Sequence, residues 1–274
     1  MMTKEELRIR FYALQKEYRP IMDFLTENQY NYPEYRGFDA GPSKLYFQPK
    51  VLFLGYNPAG GKDWWRLDPK HQPHLFLWPH LTETDLFFLN ENSARENAEW
   101  FKLDKPVNNK FPRQMVDLLY ELAALKYPEK SNEKGSNQKP SWADEFEHSI
   151  MFMNLYPVAT KDGEAMVSLF RKICKENNTL AHCEQDEWHL RMFFIGVMHQ
   201  MIKLIDPKLI VCMGSQTFHD YTYSPRETHS LYEILTDSRY DNLIGFPRLT
   251  NEGSWDKNIP NIAKEIFNRG FKSE

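Results

Sequence analysis

The chain has 274 residues, of which 41% are hydrophobic and 15% aromatic, a composition typical of an ordinary globular protein. Its formal charge of -4 and isoelectric point near 6.2 argue against a protein that coats nucleic acid nonspecifically, because such binding depends on clustered Lys and Arg. A single local basic groove is still compatible with this charge.

The predicted elements alternate between helices and strands. Apolar residues at helical spacing predict a first helix over residues 4–27, interrupted at Pro20. Short apolar runs predict strands at 51–55, 149–154, 209–214 and 242–246, and amphipathic patterns predict helices at 111–126, 164–175, 187–205 and 256–268. This alternation is typical of βαβ units with a mostly parallel sheet, so the predicted fold class is α/β.

The chain contains no linker that forces two domains. Its longest polar stretch rich in helix and strand breakers, residues 127–139, is flanked by patterns that belong to one sheet. We expect a single domain over residues 1–274, with an N-terminal helical extension at about residues 1–30 and an insertion at about residues 127–148.

The N-terminal segment and the cysteines indicate a cytoplasmic protein. The first residues, MMTKEELRIRF, are charged and lack an apolar signal core, and no apolar run approaches the length of a membrane span. Cys174, Cys183 and Cys212 cannot all pair with one another, and a chain of this size does not need a disulfide. We therefore expect reduced thiols, a cytoplasmic location and no membrane partner.

Two predicted strands each end in a turn that contains asparagine. The run VLFLGYNPAGG places Asn57 after the first strand, and IMFMNLYP places Asn154 at the end of the second. Because parallel strands bring their carboxyl ends to one edge, where open α/β folds bind ligands, both amides are expected at the same edge. Taken alone, each asparagine is more typical of a simple turn.

These motifs resemble, in order, those of the uracil-DNA glycosylase superfamily, specifically its mismatch-specific and single-strand-selective branches. VLFLGYNPAGG is similar to the first motif, NNKFPRQM to the helix start after it, IMFMNLYP to the second strand, and DPKLIVCMGS to the third strand with its glycine-led turn. The resemblance extends from residue 51 to about residue 260. It implies a three-layer α/β/α sandwich with a short, mostly parallel central sheet.

The resemblance also implies a monofunctional hydrolase that removes uracil or a related damaged pyrimidine from DNA. In such an enzyme, Asn57 holds the attacking water and Asn154 pairs with the Watson–Crick edge of the extruded base. A neutral amide removes a proton poorly, so a slow enzyme is expected. The resemblance also implies that the base is bound by Gly55, Tyr56, Pro58, Trp64 and Trp65, with Phe76 and Trp78 behind them. For Trp64, Trp65, Phe76 and Trp78 the alternative role, packing the loop onto the domain, is the more typical one.

The last motif departs from the family pattern. The corresponding stretch, GFPRLTNEGSWDKN at residues 245–258, lacks the histidine that many members use to donate to the base oxygen. The mismatch-specific branch also lacks it, and the DNA contacts are then assigned to Arg248, Thr250, Asn251 and Ser254. Two alternatives stay open: a non-catalytic nucleic-acid or nucleobase binder on the same fold, which the missing histidine favours, and a nucleoside- or nucleotide-processing enzyme that uses the same sheet edge.

The sequence implies no cofactor or metal. Cys174, His182, Cys183 and His189 share one stretch, but it has no C-x-x-C knuckle, and three cysteines are too few for the family's iron-sulfur branches. Gly214-Ser215-Gln216 is more typical of a helix cap than of a phosphate site. The predicted partner is DNA with a damaged or deaminated base, without an obligate protein partner.

Overall fold

The computed structural model describes residues 4–28, 32, 34, 47–56, 110–129, 140–177, 186–230, 232–247 and 254–272. The helices are Lys4–Glu27 (α1), Lys110–Lys126 (α2), Ala143–Glu147 (α3), Gly163–Glu176 (α4), Glu187–Ile205 (α5), Ser215–Thr222 (α6) and Ser254–Ile266 (α7), which continues into a π-helical turn, Phe267–Phe271. The strands are Val51–Gly55 (β1), Ile150–Asn154 (β2), Leu209–Met213 (β3) and Leu243–Phe246 (β4). Among these helices, none combines the length and the apolar character needed to cross a membrane.

The four strands form one parallel sheet in the order β2-β1-β3-β4. In the central strand, Val51 pairs with Ile150 on one side and with Leu209 on the other. Every strand residue is buried, as expected for a parallel sheet whose two faces are covered. The predicted α/β fold class is therefore confirmed.

Alternate strand residues contribute to two hydrophobic clusters. The first cluster contains Leu52 and Ile210 together with buried residues of α1, α4 and α5. The second contains Phe53 and Val211 together with buried residues of α2 and α7. Burying one such side chain stabilises the fold by about 1.5–3 kcal/mol, so these two clusters are the main source of stability.

Helix α1 continues through Pro20, so the predicted interruption is wrong. Pro20 is exposed, whereas Tyr18, Ile21 and Leu25 are buried in the first cluster. Packing of this apolar stripe compensates for the hydrogen bond that proline cannot donate. The predicted N-terminal extension is thus part of the hydrophobic core.

The short helix α3 lies in the stretch that the sequence predicts as an insertion. Trp142 and Phe146 are buried there, with ring centroids 5.7 Å apart and ring planes at 87°. Glu145 accepts hydrogen bonds from Lys126, the last residue of α2, and from the hydroxyl of Tyr127, the residue after it. Residues 142–146 therefore contribute to the second cluster and anchor this segment.

Candidate functional site

Strands β1 and β2 end side by side at the carboxyl edge of the sheet. Gly55 pairs with Asn154 in register. The pairing continues beyond the strands, because the Leu155 amide donates to the Gly55 carbonyl at 2.8 Å and the Tyr156 amide to the Tyr56 carbonyl at 3.0 Å. Two predicted site residues, Gly55 and Asn154, are thus adjacent.

Asn154 is a buried polar residue that packs against Gly55. The residue is only 4% exposed. The Oδ1 atom lies 2.8 Å from the position that a Cβ atom on residue 55 would occupy, and the Phe152 ring lies 2.9 Å from that position. Gly55 is therefore needed because any side chain there would displace the carboxamide or the ring.

Tyr56 packs on the other face of the sheet. Its ring meets the edge of the Tyr156 ring, with centroids 5.1 Å apart and planes at 74°, and it borders the first cluster. Asn154 instead shares the face of Phe152, which belongs to the second cluster. The structure therefore brings Tyr56 to the strand ends but separates its ring from the Asn154 carboxamide.

A cluster of polar side chains surrounds Asp220 on the face of the sheet where Tyr56 packs. The sequence did not predict this cluster. We call it the Asp220 cluster, and it comprises Tyr56, Tyr156, Arg191, Gln216, Asp220 and Arg226. Asp220 Oδ2 accepts from the Tyr156 hydroxyl at 2.8 Å and from Arg191 Nη2 at 2.6 Å. Asp220 Oδ1 accepts from Arg226 Nη2 at 3.0 Å, and Gln216 Nε2 donates to the Tyr56 hydroxyl at 2.7 Å.

Burial determines which side chains of the Asp220 cluster carry a charge. The side chains of Arg191 and Asp220 are 9% and 5% exposed, so their charges compensate each other away from water. Burial, followed by the negative charge of Asp220, raises the pKa of both Tyr56 and Tyr156. Both phenols consequently stay neutral at physiological pH. A charged residue within the apolar pattern of α5 was the sequence signal for this cluster.

The start of α6 ties the ends of β1 and β3 together. Gly214 has φ of 117°, in the left-handed region that favours glycine, and it lets the chain turn from β3 into α6. Gln216, in the first turn, is the residue that reaches Tyr56. The motif Gly214-Ser215-Gln216 thus forms a helix start that joins two strand ends.

The remaining predicted site residues fall largely outside the described part of the chain. These are Asn57, Pro58, Trp64, Trp65, Arg248, Thr250 and Asn251, whereas Ser254 is described only as the first backbone position of α7. Within the described ranges, no three His, Cys, Asp or Glu side chains are arranged to hold a metal ion. Cys174 and His189 each contact Asp186, at 3.9 Å to its carbonyl and 2.9 Å to its carboxylate.

The fold and the strand ends define an α/β protein with a buried carboxamide at the carboxyl edge of a parallel sheet. The chain matches no protein-family model, and no curated protein is significantly similar to it in sequence. The inference of function therefore depends on the site.

Proposed function

We propose that this protein is a DNA glycosylase-like hydrolase that cleaves the N-glycosidic bond of uracil or a related damaged pyrimidine. The observation that carries the proposal is the Asn154 carboxamide, buried against Gly55 at the carboxyl edge of the sheet. The two hydrophobic clusters, with α1, α4 and α5 in one and α2 and α7 in the other, support the proposed three-layer α/β/α sandwich.

Asn154 is suited to reading one edge of a pyrimidine. Its Nδ2 donates to a base carbonyl while its Oδ1 accepts from a ring N–H, and both groups lie in one plane. In a dry site, a base that leaves either group unpaired loses about 1–3 kcal/mol of binding, which is enough to select among bases. Extrusion of the base from the DNA stack brings it within reach of such a site.

Asn57 is the proposed water holder, two positions after Gly55. Cleavage leaves negative charge on the departing base, so the reaction needs an oriented water and donors aimed at the base oxygens. An amide orients water but does not act as a strong base. The reaction therefore lacks much of the roughly 10²–10⁴-fold rate gain that a general base gives. Arg248, Thr250, Asn251 and Ser254 are the proposed DNA contacts.

The test is release of the base from a uracil-containing oligonucleotide, single-stranded and in a mismatch, measured as abasic product. We expect slow product formation that Asn57→Ala abolishes and that Asn154→Asp, which keeps the acceptor but loses the donor, reduces roughly 5- to 150-fold. Asn28→Ala, at the end of α1, is the matched control and should match the wild type. Tight binding of the oligonucleotide without any product would instead identify a non-catalytic binder.

A further inference from the structure

A second chemical centre lies away from Asn154, on α6 and the loop that follows it. Four side chains form a continuous hydrogen-bonded chain there. His219 Nδ1 is 2.8 Å from Ser224 Oγ, His219 Nε2 is 2.8 Å from His229 Nε2, and His229 Nδ1 is 3.0 Å from Glu233 Oε1. We call this chain the Ser224 relay.

The chemistry of the two ends fixes the direction of the relay. The Glu233 carboxylate only accepts, so His229 carries its proton on Nδ1 and presents a lone pair on Nε2. His219 must then donate from Nε2, which leaves its Nδ1 lone pair to accept the Ser224 hydroxyl proton. With both imidazoles neutral, every hydrogen bond points from Ser224 towards Glu233.

The relay is built into the fold. His219 is 5% exposed, and its ring meets that of His229 edge to edge and nearly in one plane, with centroids 5.0 Å apart and planes at 18°. The Glu233 carboxylate is held by the Ser230 amide at 3.0 Å, while Thr222 Oγ1 lies 2.8 Å from Ser224 Oγ. Ser224 is therefore held between a base and a second hydroxyl.

The relay also borders a space for a small ligand. A cavity of about 300 Å³ is lined by Ser224, His219, His229 and Glu233, together with the apolar Ile234 and Leu235. This volume is at the lower end of the range for small-molecule sites. A short acyl group fits that volume, with Ile234 and Leu235 as its apolar contacts, while Glu227 and Asp237 add polar surface to the lining.

We propose that Ser224 is a nucleophile for acyl transfer from small esters, with His219 as its general base and His229 and Glu233 as positioning residues. Ser224 Oγ bonds to the ester carbonyl carbon while its proton passes to His219 Nδ1. The carbon–oxygen bond to the leaving alcohol then breaks, and the alcohol takes that proton. Water hydrolyses the acyl-serine by the same proton path and restores the hydroxyl.

The charges around His219 agree with a neutral base. Burial, followed by the neighbouring His229, lowers the pKa of His219 below its ordinary value of 6.5. Glu227 and Asp220 oppose this shift and Arg226 adds to it. Reactivity should therefore be constant near neutral pH and fall in acid, as His219 takes up a proton and stops accepting from Ser224.

The experiment is labelling of the full chain with a serine-reactive fluorophosphonate, with the adduct located by peptide mass spectrometry. We expect one adduct, on Ser224, and a burst of nitrophenol from nitrophenyl acetate that Ser224→Ala removes. His219→Ala should slow labelling about 10²-fold or more. Glu233→Gln, at a carboxylate whose side chain is 43% exposed, keeps the fold intact and should also slow it.

Ser230→Ala is the matched control because it removes only an exposed hydroxyl on the same loop and keeps the backbone amide that holds Glu233. It should label as fast as the wild type. The proposal is overturned if the folded protein takes no adduct on Ser224, if Ser230 is labelled as readily, or if labelling is equally fast in Glu233→Gln at every pH. Because neither Asn57 nor Asn154 is involved, these results are independent of base-release activity.

Discussion

At the scale of single residues, the pairing of Gly55 with Asn154 links the fold to the proposed chemistry. Hydrophobic periodicity predicted the strand that ends at Asn154, whereas the role proposed for Asn154 comes from a resemblance of short motifs. Periodicity alone could not reveal that Gly55 makes space for the carboxamide, since that depends on the register between β1 and β2.

Replacing Gly55 with alanine tests this contact. The new Cβ would lie 2.8 Å from Asn154 Oδ1, so we expect a loss of about 1–3 kcal/mol in the free energy of unfolding and a loss of base binding. Urea denaturation measures the first effect. Gly196→Ala, in α5, is the control because a Cβ there meets nothing within 4 Å, and it should stabilise by about 0.5–1 kcal/mol. Similar effects of the two substitutions would contradict the packing described.

The Asp220 cluster is tested by Tyr156→Phe. The substitution removes the hydroxyl that donates to Asp220 at 2.8 Å, and Asp220 then loses one of its buried donors. A buried hydrogen bond to a charged group contributes about 1.5–3 kcal/mol, and this is the expected destabilisation in urea. Tyr232→Phe, at a tyrosine that is 55% exposed, should change stability by less than about 0.5 kcal/mol. Equal midpoints for the two variants would mean that Asp220 does not need this donor.

At the scale of elements, apolar runs located all four strands to within one residue at either end, because a buried parallel strand must be apolar throughout. The long helices followed from their spacing. Helix α3 was missed because five residues are too few to show a helical period, and Trp142 and Phe146 become informative only once packed. Pro20 was misjudged because tertiary burial outweighs local propensity.

The N-terminus of α4 depends on a side-chain cap. Asp162 accepts from the Ala165 amide at 2.8 Å and replaces a partner that the helix cannot supply. Asp162→Ala should lower the free energy of unfolding by about 0.5–2 kcal/mol, while Asp162→Asn should retain most of the stabilisation that the cap gives. Chemical denaturation of the three proteins gives the comparison, and an alanine variant as stable as the wild type would rule out the cap.

The turn before β4 should contribute less to the stability of the fold in acid. Hydrogen bonds from Arg239 hold the pKa of Asp237 at about 2, below its ordinary 3.8. The same guanidinium donates to the Thr222 carbonyl at 2.6 Å, which ties the turn to the end of α6. Because the folded-state pKa is depressed, the stabilisation is complete above about pH 4 and is lost as the pH falls towards 2.

Thermal melting of wild type and Asp237→Asn as a function of pH measures this effect. The wild type should have the higher melting temperature at pH 7. The difference in melting temperature should narrow as the pH falls below 4, because the ordinary carboxyl pKa of 3.8 marks where protonation begins in the unfolded chain. A difference in melting temperature that is constant across this pH range would show that the charge of the Asp237 carboxylate does not stabilise the turn.

At the scale of the whole molecule, the parallel sheet brings distant parts of the chain to one edge. Asn154 ends β2, whereas the Asp220 cluster combines residues of α5 and α6 with residues that follow β1, β2 and α6. Asn154 and the cluster nevertheless lie on opposite faces at the ends of β1 and β2. The sequence predicted the edge, because chain order and strand direction follow from periodicity. It could not predict the Arg191–Asp220 pair, since these two residues are joined only by tertiary packing. The Ser224 relay lies within residues 219–233, but it depends on the irregular loop after α6, which no hydrophobic period describes.

The central claim is that Asn154 reads the Watson–Crick edge of a pyrimidine, and NMR of its side-chain amide during titration with uracil tests it most directly. We expect uracil to shift the Asn154 Nδ2 resonances and 3-methyluracil, which lacks the N3 proton, to leave them unchanged. If saturating uracil leaves the Asn154 resonances in place, or if both bases shift them equally, the claim is contradicted.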